Sequence, residues 1–498
     1  MKYVIGVDLG TSAVKILLVN QNGEVCLEVS KSYPLIIERS GYSEQTPEEW
    51  VDKTIAGLTE LIQQFDGNVN DIEGISFSGQ MHGLVLLDEN QQVLRNAILW
   101  NDTRTTKQCQ DIYQVFGKER LLEITKNPAL EGFTLPKILW VKENEQEIFK
   151  RASVFLLPKD YLRYRLTGKI HMDYSDAAGT LLLDVAKQEW SNEIIEAFGI
   201  SVEFLPPLVE SHALVGTVLT ELAQKTGLSR ATKVFAGGAD NACGAIGSGI
   251  LCEGRTLASI GTSGVVLSYE ERNDLDFEGK VHYFNHGEEN AYYTMGVTLA
   301  AGYSLSWFKN TFAKEEAFER FLAGVEDVPA GSNGLLFTPY LVGERTPYAD
   351  AVIRGSFIGV DAAHERKHFA RSVLEGITFS LNESIEIFRH SGKKIDSIIS
   401  IGGGAKNETW LQIQADIFNA KVEKLASEQG PGMGAAMLAA FGCGWYPSLE
   451  EMAKVFIKTS KIYYPIEENV LAYKKLFTIY QQIYTQTKKL NDQLNEFK

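Results

Sequence analysis

The sequence predicts an α/β chain made of two related halves with a cleft between them. Two observations carry that expectation. Apolar runs of strand length alternate with amphipathic segments of helix length, the pattern of an α/β fold. A Gly-Thr-Ser turn leading into an apolar strand also occurs twice, as Leu9-Gly10-Thr11-Ser12-Ala13-Val14 and as Ile260-Gly261-Thr262-Ser263-Gly264-Val265. The 498 residues suffice for about three ordinary domains or two large ones. The repeated turn favours two, with a division at residues 1–249 and 250–498.

The elements follow in order. Tyr3–Val7, Ala13–Val19 and Val25–Val29 are short apolar runs joined by turn residues, among them Gln21-Asn22-Gly23-Glu24, and predict an antiparallel meander. Thr46-Pro47-Glu48-Glu49 reads as a helix start, with Thr at the cap, Pro first and acids in the first turn. Trp50, Ile55, Leu58, Leu61 and Ile62 continue it at helical spacing. Gly74–Gly79 reads as a buried strand leading to Gln80-Met81-His82-Gly83. Lys233–Gly238 is a strand running into glycines, followed by Asp240-Asn241 and the small apolar segment Ala242–Ile250. Gly244, Gly247 and Gly249 there predict a close backbone approach. In the second half, 368–388 is a helix by the spacing of Phe369, Val373, Leu374, Ile377, Leu381, Ile385 and Phe388. Residues 395–401 form a buried strand ending in Gly402-Gly403-Gly404-Ala405, 407–418 a second helix, and 470–490 a helix packed on its own domain.

Composition excludes several functions. With 48 basic and 64 acidic residues the net charge is −16, which repels polyanions, so neither nucleic acid nor an anionic membrane is an expected partner. An anionic substrate would need local donors or a metal ion. Cys26, Cys109, Cys243, Cys252 and Cys443 contain no CxxC pair, which fits a reducing cytoplasm and indicates neither a zinc ribbon nor a redox dithiol. No run of 18 apolar residues and no signal-peptide core is present, so the chain is expected to be cytoplasmic.

Three glycine-rich turns each follow an apolar strand: Gly10-Thr11-Ser12, Gly261-Thr262-Ser263-Gly264 and Gly402-Gly403-Gly404. Glycine lets the backbone approach a phosphate, and consecutive N–H groups make an anion nest. Three such turns predict a nucleotide phosphate site. The chain has no GxxxxGK[ST], and no GxGxxG follows its first strand, so neither a P-loop nor a dinucleotide fold is indicated. Asp8, at the end of the first strand, either caps its turn or helps hold Mg²⁺ beside the phosphates. Asp240, between a glycine-ended strand and a helix, either caps the helix or acts as a general base. A helix start by itself lowers a carboxyl's pKa, but the sequence does not set the value at Asp240. Gln80-Met81-His82-Gly83 and Trp100-Asn101-Asp102-Thr103-Arg104 place polar groups where α/β sheets bind ligands. The ordinary alternatives are a structural His and a capped helix start with a buried Trp. Arg345, in Gly-Glu-Arg-Thr-Pro, reads as either a cleft residue or half of a structural ion pair, the pair being preferred.

Taken together, the chain resembles the FGGY family of carbohydrate kinases over nearly its whole length. The resemblance rests on Gly6-Val7-Asp8-Leu9-Gly10-Thr11-Ser12, Gln80-Met81-His82-Gly83, Leu99–Asp102, Leu157-Pro158-Lys159-Asp160-Tyr161 and Ser175–Thr180. It continues through Gly237–Asn241, Gly261–Gly264, Gly343–Pro347 and Gly402–Ala405. It implies two actin-like (ribonuclease-H-like) ATPase domains flanking a catalytic cleft, a sugar substrate, and ATP with Mg²⁺ as cofactors. The implied reaction converts D-xylulose and ATP to D-xylulose 5-phosphate and ADP. Asp240 matches the family's base on the 5-hydroxyl, and Asp8 its acid near the metal and phosphates. Met81 and His82, with Asp240 and Asn241, match the sugar site. Gly261 and Thr262 match a phosphate turn, with Thr11 and Ser12 as its counterpart in the first half. Gly403, Gly404 and Asn407 match the adenosine side, and Trp307 an aromatic near the nucleotide. A homodimer is compatible with the family. One departure is Ala239, where a third glycine is the commoner pattern; its methyl would disturb the loop only if that position needs a positive φ. Rival readings are a family kinase for L-ribulose, gluconate or glycerol, an actin-like ATPase with no sugar, and a silent sugar sensor.

Overall fold

The structure, a computed structural model, describes residues 1–497. Each half contributes one seven-stranded sheet. In the first half β1 (Tyr3–Leu9), β2 (Ala13–Asn20) and β3 (Val25–Ser32) form the expected meander. Joining them are β4 (Ile72–Gly79), β5 (Leu214–Thr217), β6 (Lys233–Phe235) and the two-residue β7 (Gly238–Ala239). The order is β5-β6-β4-β1-β2-β3, and β7 continues along β4 beyond β6. The main helices are α1 (Pro47–Gln64), α2 (Pro158–Thr167) and α3 (Asp240–Gly247). The apolar face of α1, with Trp50, Val51, Leu58 and Leu61, lies buried on this sheet.

The second half contains β8 (Gly254–Ile260), β9 (Gly264–Glu270), β10 (His282–Asn285), β11 (Tyr292–Thr298), β12 (Ile395–Gly402), β13 (Lys421–Leu425) and β14 (Thr459–Tyr463). Its order is β10-β11-β9-β8-β12-β13-β14. Read from the meander outward, β3-β2-β1-β4-β6-β5 and β11-β9-β8-β12-β13-β14 match strand for strand. In both, the second strand pairs antiparallel with both neighbours, the next two junctions are parallel, and the last is antiparallel. The Gly-Thr-Ser echo is thus the trace of a repeated sheet order, although the outermost strand comes before its neighbour in the first half (β5, β6) and after it in the second (β14, β13). The helices here are α4 (Gly302–Phe312), α5 (Arg366–His390), α6 (Glu408–Phe418), α7 (Gly430–Gly442) and α8 (Glu467–Leu494). The terminal helix α8 buries Val470, Tyr473, Tyr480 and Ile483, and Tyr473 donates to Glu375 of α5 (2.7 Å), so it packs on its own half.

The halves meet through α3 and α7, which follow equivalent strands and pack on each other. A Cβ on Gly434 would lie 1.9 Å from the Cys243 carbonyl oxygen, and one on Gly247 2.4 Å from that of Gly430. No larger residue permits this crossing. Met433, Ala436 and Met437 of α7 also join Val4, Leu17 and Val19 of the first sheet in one buried cluster. A helix from the second half therefore completes the core of the first. Among the described residues no helix is long and apolar enough to cross a membrane.

Candidate active site

The first sheet brings its strand ends together on one side. Asp8 lies level with Ser78 across β1 and β4, and Ser78 is level with Gly238 of β7. The chain reaches that level through Gly237, whose φ is +79° and whose Cβ would stand 2.2 Å from the Phe77 carbonyl oxygen. Ala239 has φ −54°, so its methyl is accommodated, and the positive φ falls two residues earlier.

Asp240 is the first residue of α3, with Ala239 at the cap position. Its Oδ1 accepts from the backbone N–H of Asn241 (2.7 Å) and from Asn241 Nδ2 (3.1 Å). The lowering expected from the helix start does not prevail. Burial, then the charge of Asp8, push the Asp240 carboxyl up to about 7. Burial pushes Asp8 up to about 6, opposed by the Ser78 hydroxyl and the Lys15 ammonium. Among the described residues neither carboxylate has a cation within 4 Å. Two neighbouring enclosed acids without a counter-ion fit a divalent cation with hard oxygen ligands.

These groups open into a cavity of about 380 Å³ formed by both halves. Met81, His82, Asp240 and Asn241 all line it, as the sequence predicts. Asn241 Nδ2 lies 3.5 Å from the Met81 sulfur, and the Tyr293 hydroxyl 3.9 Å from it on another side. His82 adopts φ +68°; its carbonyl accepts from Thr134 Oγ1 (3.0 Å) and Lys137 Nζ (3.1 Å). Burial, then the charge of Lys137, lower its pKa to about 3, so the ring is neutral. Its Nδ1 lies 2.7 Å from the Gly179 carbonyl oxygen, which assigns the proton to Nδ1 and leaves Nε2 as an acceptor. His282 repeats the arrangement from the second half: burial lowers it to about 3, and its Nδ1 meets Asn127 Oδ1 at 3.0 Å. Trp100 is 46% exposed within the cleft rather than buried, and its Nε1 donates to Thr11 Oγ1 (2.9 Å). That contact places Thr11 and Ser12 beside the sugar-sized cavity. Asp102 does take the structural role, paired with Arg104 at 2.6 Å.

Sequence reasoning gave no role to the layer beneath the Asp240 loop. The backbone N–H of Ala239 donates to Ser175 Oγ (2.9 Å), which in turn donates to Asp173. Ser211 Oγ donates to the same carboxylate (2.9 Å). Lys159 Nζ contacts Asp160 (2.6 Å), Asp173 (2.9 Å) and Asp176 (3.3 Å), all fully buried. Arg163 bonds Asp160 (2.8 Å) and the Ala236 carbonyl (2.8 Å). The three acids lie close enough to hold a metal ion, but the Lys159 ammonium already occupies their centre. Burial pushes the Asp176 carboxyl well up, opposed by the Lys159 ammonium. The motifs Leu157–Tyr161 and Ser175–Thr180 thus hold the loop rather than the ligand.

The second sheet ends at a different cavity, of about 470 Å³. Gly261, Thr262, Gly403 and Asn407 line it, as expected. Gly302 N–H donates to the Gly261 carbonyl (2.9 Å) and Tyr303 N–H to that of Thr262 (3.0 Å), so the turn docks on the start of α4. Gly404 lies beneath this wall, packed against Ile260. Asn407 caps α6 through Trp410 N–H (2.9 Å). Tyr303, Phe318 and Trp410 supply flat surface here. Trp307 does not reach this cavity; it lines a separate one with Phe337, Leu341 and Phe357. Tyr303, one helical turn earlier on α4, stands where the aromatic was expected. Of the two readings of Arg345, the structure favours the cleft residue over the ion pair. Among the described residues its side chain has no carboxylate within 4 Å, and it lines the first cavity.

A repeated sheet topology, a cavity at the strand ends of each sheet and two unpaired acids at the first of them fit a two-lobed phosphotransferase. The comparisons agree. The N-terminal domain of the FGGY family of carbohydrate kinases matches residues 3–247, and its C-terminal domain residues 256–443. The chain belongs to that family. A xylulose kinase of Bacillus subtilis (strain 168) is 66% identical over all 498 residues, covering 100% of both chains. Among solved structures, a ligand-bound xylulose kinase from Lactobacillus acidophilus superposes with a TM-score of 0.93 at 31% identity, covering 98% of this chain and 99% of that one. A structure described as gluconate kinase from the same organism matches with the same TM-score and identity, over 98% of each chain.

Proposed function

We propose that this chain transfers the γ-phosphoryl group of ATP to O5 of D-xylulose, giving D-xylulose 5-phosphate and ADP. The observation that carries the reading is the Asp240 carboxyl, at a helix start in the sugar-sized cavity and beside Asp8, with its pKa raised to about 7. A carboxylate of that basicity accepts a hydroxyl proton more readily than an ordinary one. As O5 attacks phosphorus, its proton passes to Asp240, the bond from phosphorus to the bridging oxygen breaks, and ADP leaves. Met81, His82 and Asn241 hold the sugar. Gly261 and Thr262 hold phosphates, and Gly403, Asn407, Tyr303 and Trp410 the nucleoside. Thr11 and Ser12, beside the sugar-sized cavity, would meet the phosphates from the other lobe. Asp8 would hold Mg²⁺, which when bound neutralises phosphate charge in transfer. Residues 1–249 would form the sugar lobe and 250–498 the nucleotide lobe, with α7 crossing back. Five free thiols accord with a cytoplasmic enzyme.

The likeness to a gluconate kinase structure keeps one rival substrate in play. Sugar-dependent ADP release separates them, measured with D-xylulose, L-ribulose, D-ribulose, glycerol and gluconate. The reading requires the highest kcat/KM for D-xylulose. Preference for another sugar would keep the kinase and reject the substrate; no response to any would reject both.

A further inference from the structure

Resting on the D-xylulose reading, the chemistry of the substrate sets a requirement on the cavity. A 2-ketopentose closes its furanose ring through O5 onto C2, so a free 5-hydroxyl exists only in the open chain. The molecule phosphorylated at O5 therefore presents a free ketone at C2. A ketone oxygen accepts hydrogen bonds and donates none, whereas each sugar hydroxyl does both.

The polar lining offers the acceptors Asp240, Glu131 and the Nε2 atoms of His82 and His282, beside the neutral side chains of Asn101, Thr103, Asn241 and Ser263, which donate as well as accept. Arg345 is its one lysine or arginine among the described residues. The loop bearing it is pinned. Glu344 Oε1 accepts from the N–H groups of Arg345 (2.8 Å) and Leu299 (3.0 Å), while Ser380 holds the other oxygen (3.0 Å). Thr346 exchanges two 3.0 Å bonds with Val297, itself a cavity residue. The guanidinium has no hydrogen-bond partner among the described residues, although its backbone is fully tied down. Its charge also reaches both cavity histidines and helps to keep them neutral.

We propose that Arg345 reads the C2 ketone of the open-chain sugar and so selects ketoses over polyols. Without it, a C2 hydroxyl can turn and donate to a histidine Nε2, but a ketone oxygen cannot. Removing the guanidinium therefore penalises the ketose selectively.

The test compares affinities for D-xylulose and xylitol by calorimetry in the unaltered protein, Arg345→Met and Arg345→Lys. The ratio favouring D-xylulose should fall by about 10- to 100-fold in Arg345→Met, the range of a lost charge-assisted hydrogen bond, and by less in Arg345→Lys. An unchanged ratio overturns the assignment, whatever happens to overall activity. A second readout needs no variant. D-xylulose labelled with ¹³C at C2 should show its ketone resonance moved downfield on binding the unaltered protein, as a strong donor polarises the carbonyl. A bound resonance at the free open-chain position overturns the proposal as well. If the unaltered protein turns over other sugars but not D-xylulose, the substrate reading has failed, and this inference falls with it.

Discussion

The two halves share one topology and place different chemistry at its ends. Aligning the two Gly-Thr-Ser turns sets Asp8 opposite Ser259, and the equivalent helices α3 and α7 begin at Asp240 and Gly430. The first half thus has two carboxylates where the second has none. That difference suits their ligands: a hydroxyl that must lose a proton wants an acid-derived base, and phosphates repel one. The fold fixes where a ligand can sit, and the residues at the strand ends decide what happens there.

Making the first half like the second should break the enzyme. Asp8→Ser should lower kcat by about 10³-fold, with a weaker dependence on Mg²⁺; near-normal turnover would remove Asp8 from the site. The support beneath the loop is almost as sensitive. Lys159→Met strands three buried acids and should destabilise the protein by about 3–5 kcal/mol, visible as a lower urea midpoint. A midpoint within error of the original would mean that the acids reorganise at no cost. The reverse exchange is milder. Ser259→Asp should raise the KM for ATP by about 10-fold through repulsion of the phosphates, leaving the KM for sugar within a factor of two.

Buried acids are held in two ways. Lys159 and Arg163 sit against the acids beneath the Asp240 loop, whereas Glu344 and Glu383 in the second half have no cation within 4 Å among the described residues. Burial pushes Glu383 up to about 8 and Glu344 to about 7. The folded chain holds these protons at a pH where the unfolded chain, with carboxyls near ~4.3, has released them. Their contribution to stability is full below about pH 4 and is lost as pH rises toward 8. Glu383→Gln keeps the bond from the Tyr348 hydroxyl and removes one titration. It should shrink the fall in Tm between pH 6 and 9 by about 3 °C. An identical fall in both proteins would show that Glu383 does not titrate in this range.

Much of this architecture was legible in the sequence because it is local. The meander, the helix at Thr46-Pro47 and the glycine-rich turns each write their geometry within a few residues. Asp240, Asn241, Met81 and His82 were found because they follow strands directly. What the sequence hid depends on distant packing. Lys159 meets Asp173 and Asp176 from a different element, so its motif carried the resemblance without a role. The pKa of Asp240 was not legible because the helix start is local while enclosure and Asp8 are not. Trp307 and Tyr303 lie one helical turn apart, and periodicity does not say which of them faces the nucleotide-sized cavity. Arg345 resembled an ion-pair residue because glutamate precedes it, yet Glu344 spends its oxygens on backbone N–H groups and Ser380. The return of α7 onto the first sheet is marked only by small residues in Gly430–Gly442.

In the proposed reaction Asp240 takes the proton, while the rest of each lobe supplies most of the binding of its ligand. Asp240→Asn tests this most directly, with turnover measured alongside the dissociation constants for D-xylulose and ATP. The account predicts a fall in kcat of about 10³-fold with both ligands still bound within a few-fold of their original affinity. Turnover within a few-fold of the unaltered protein would contradict it.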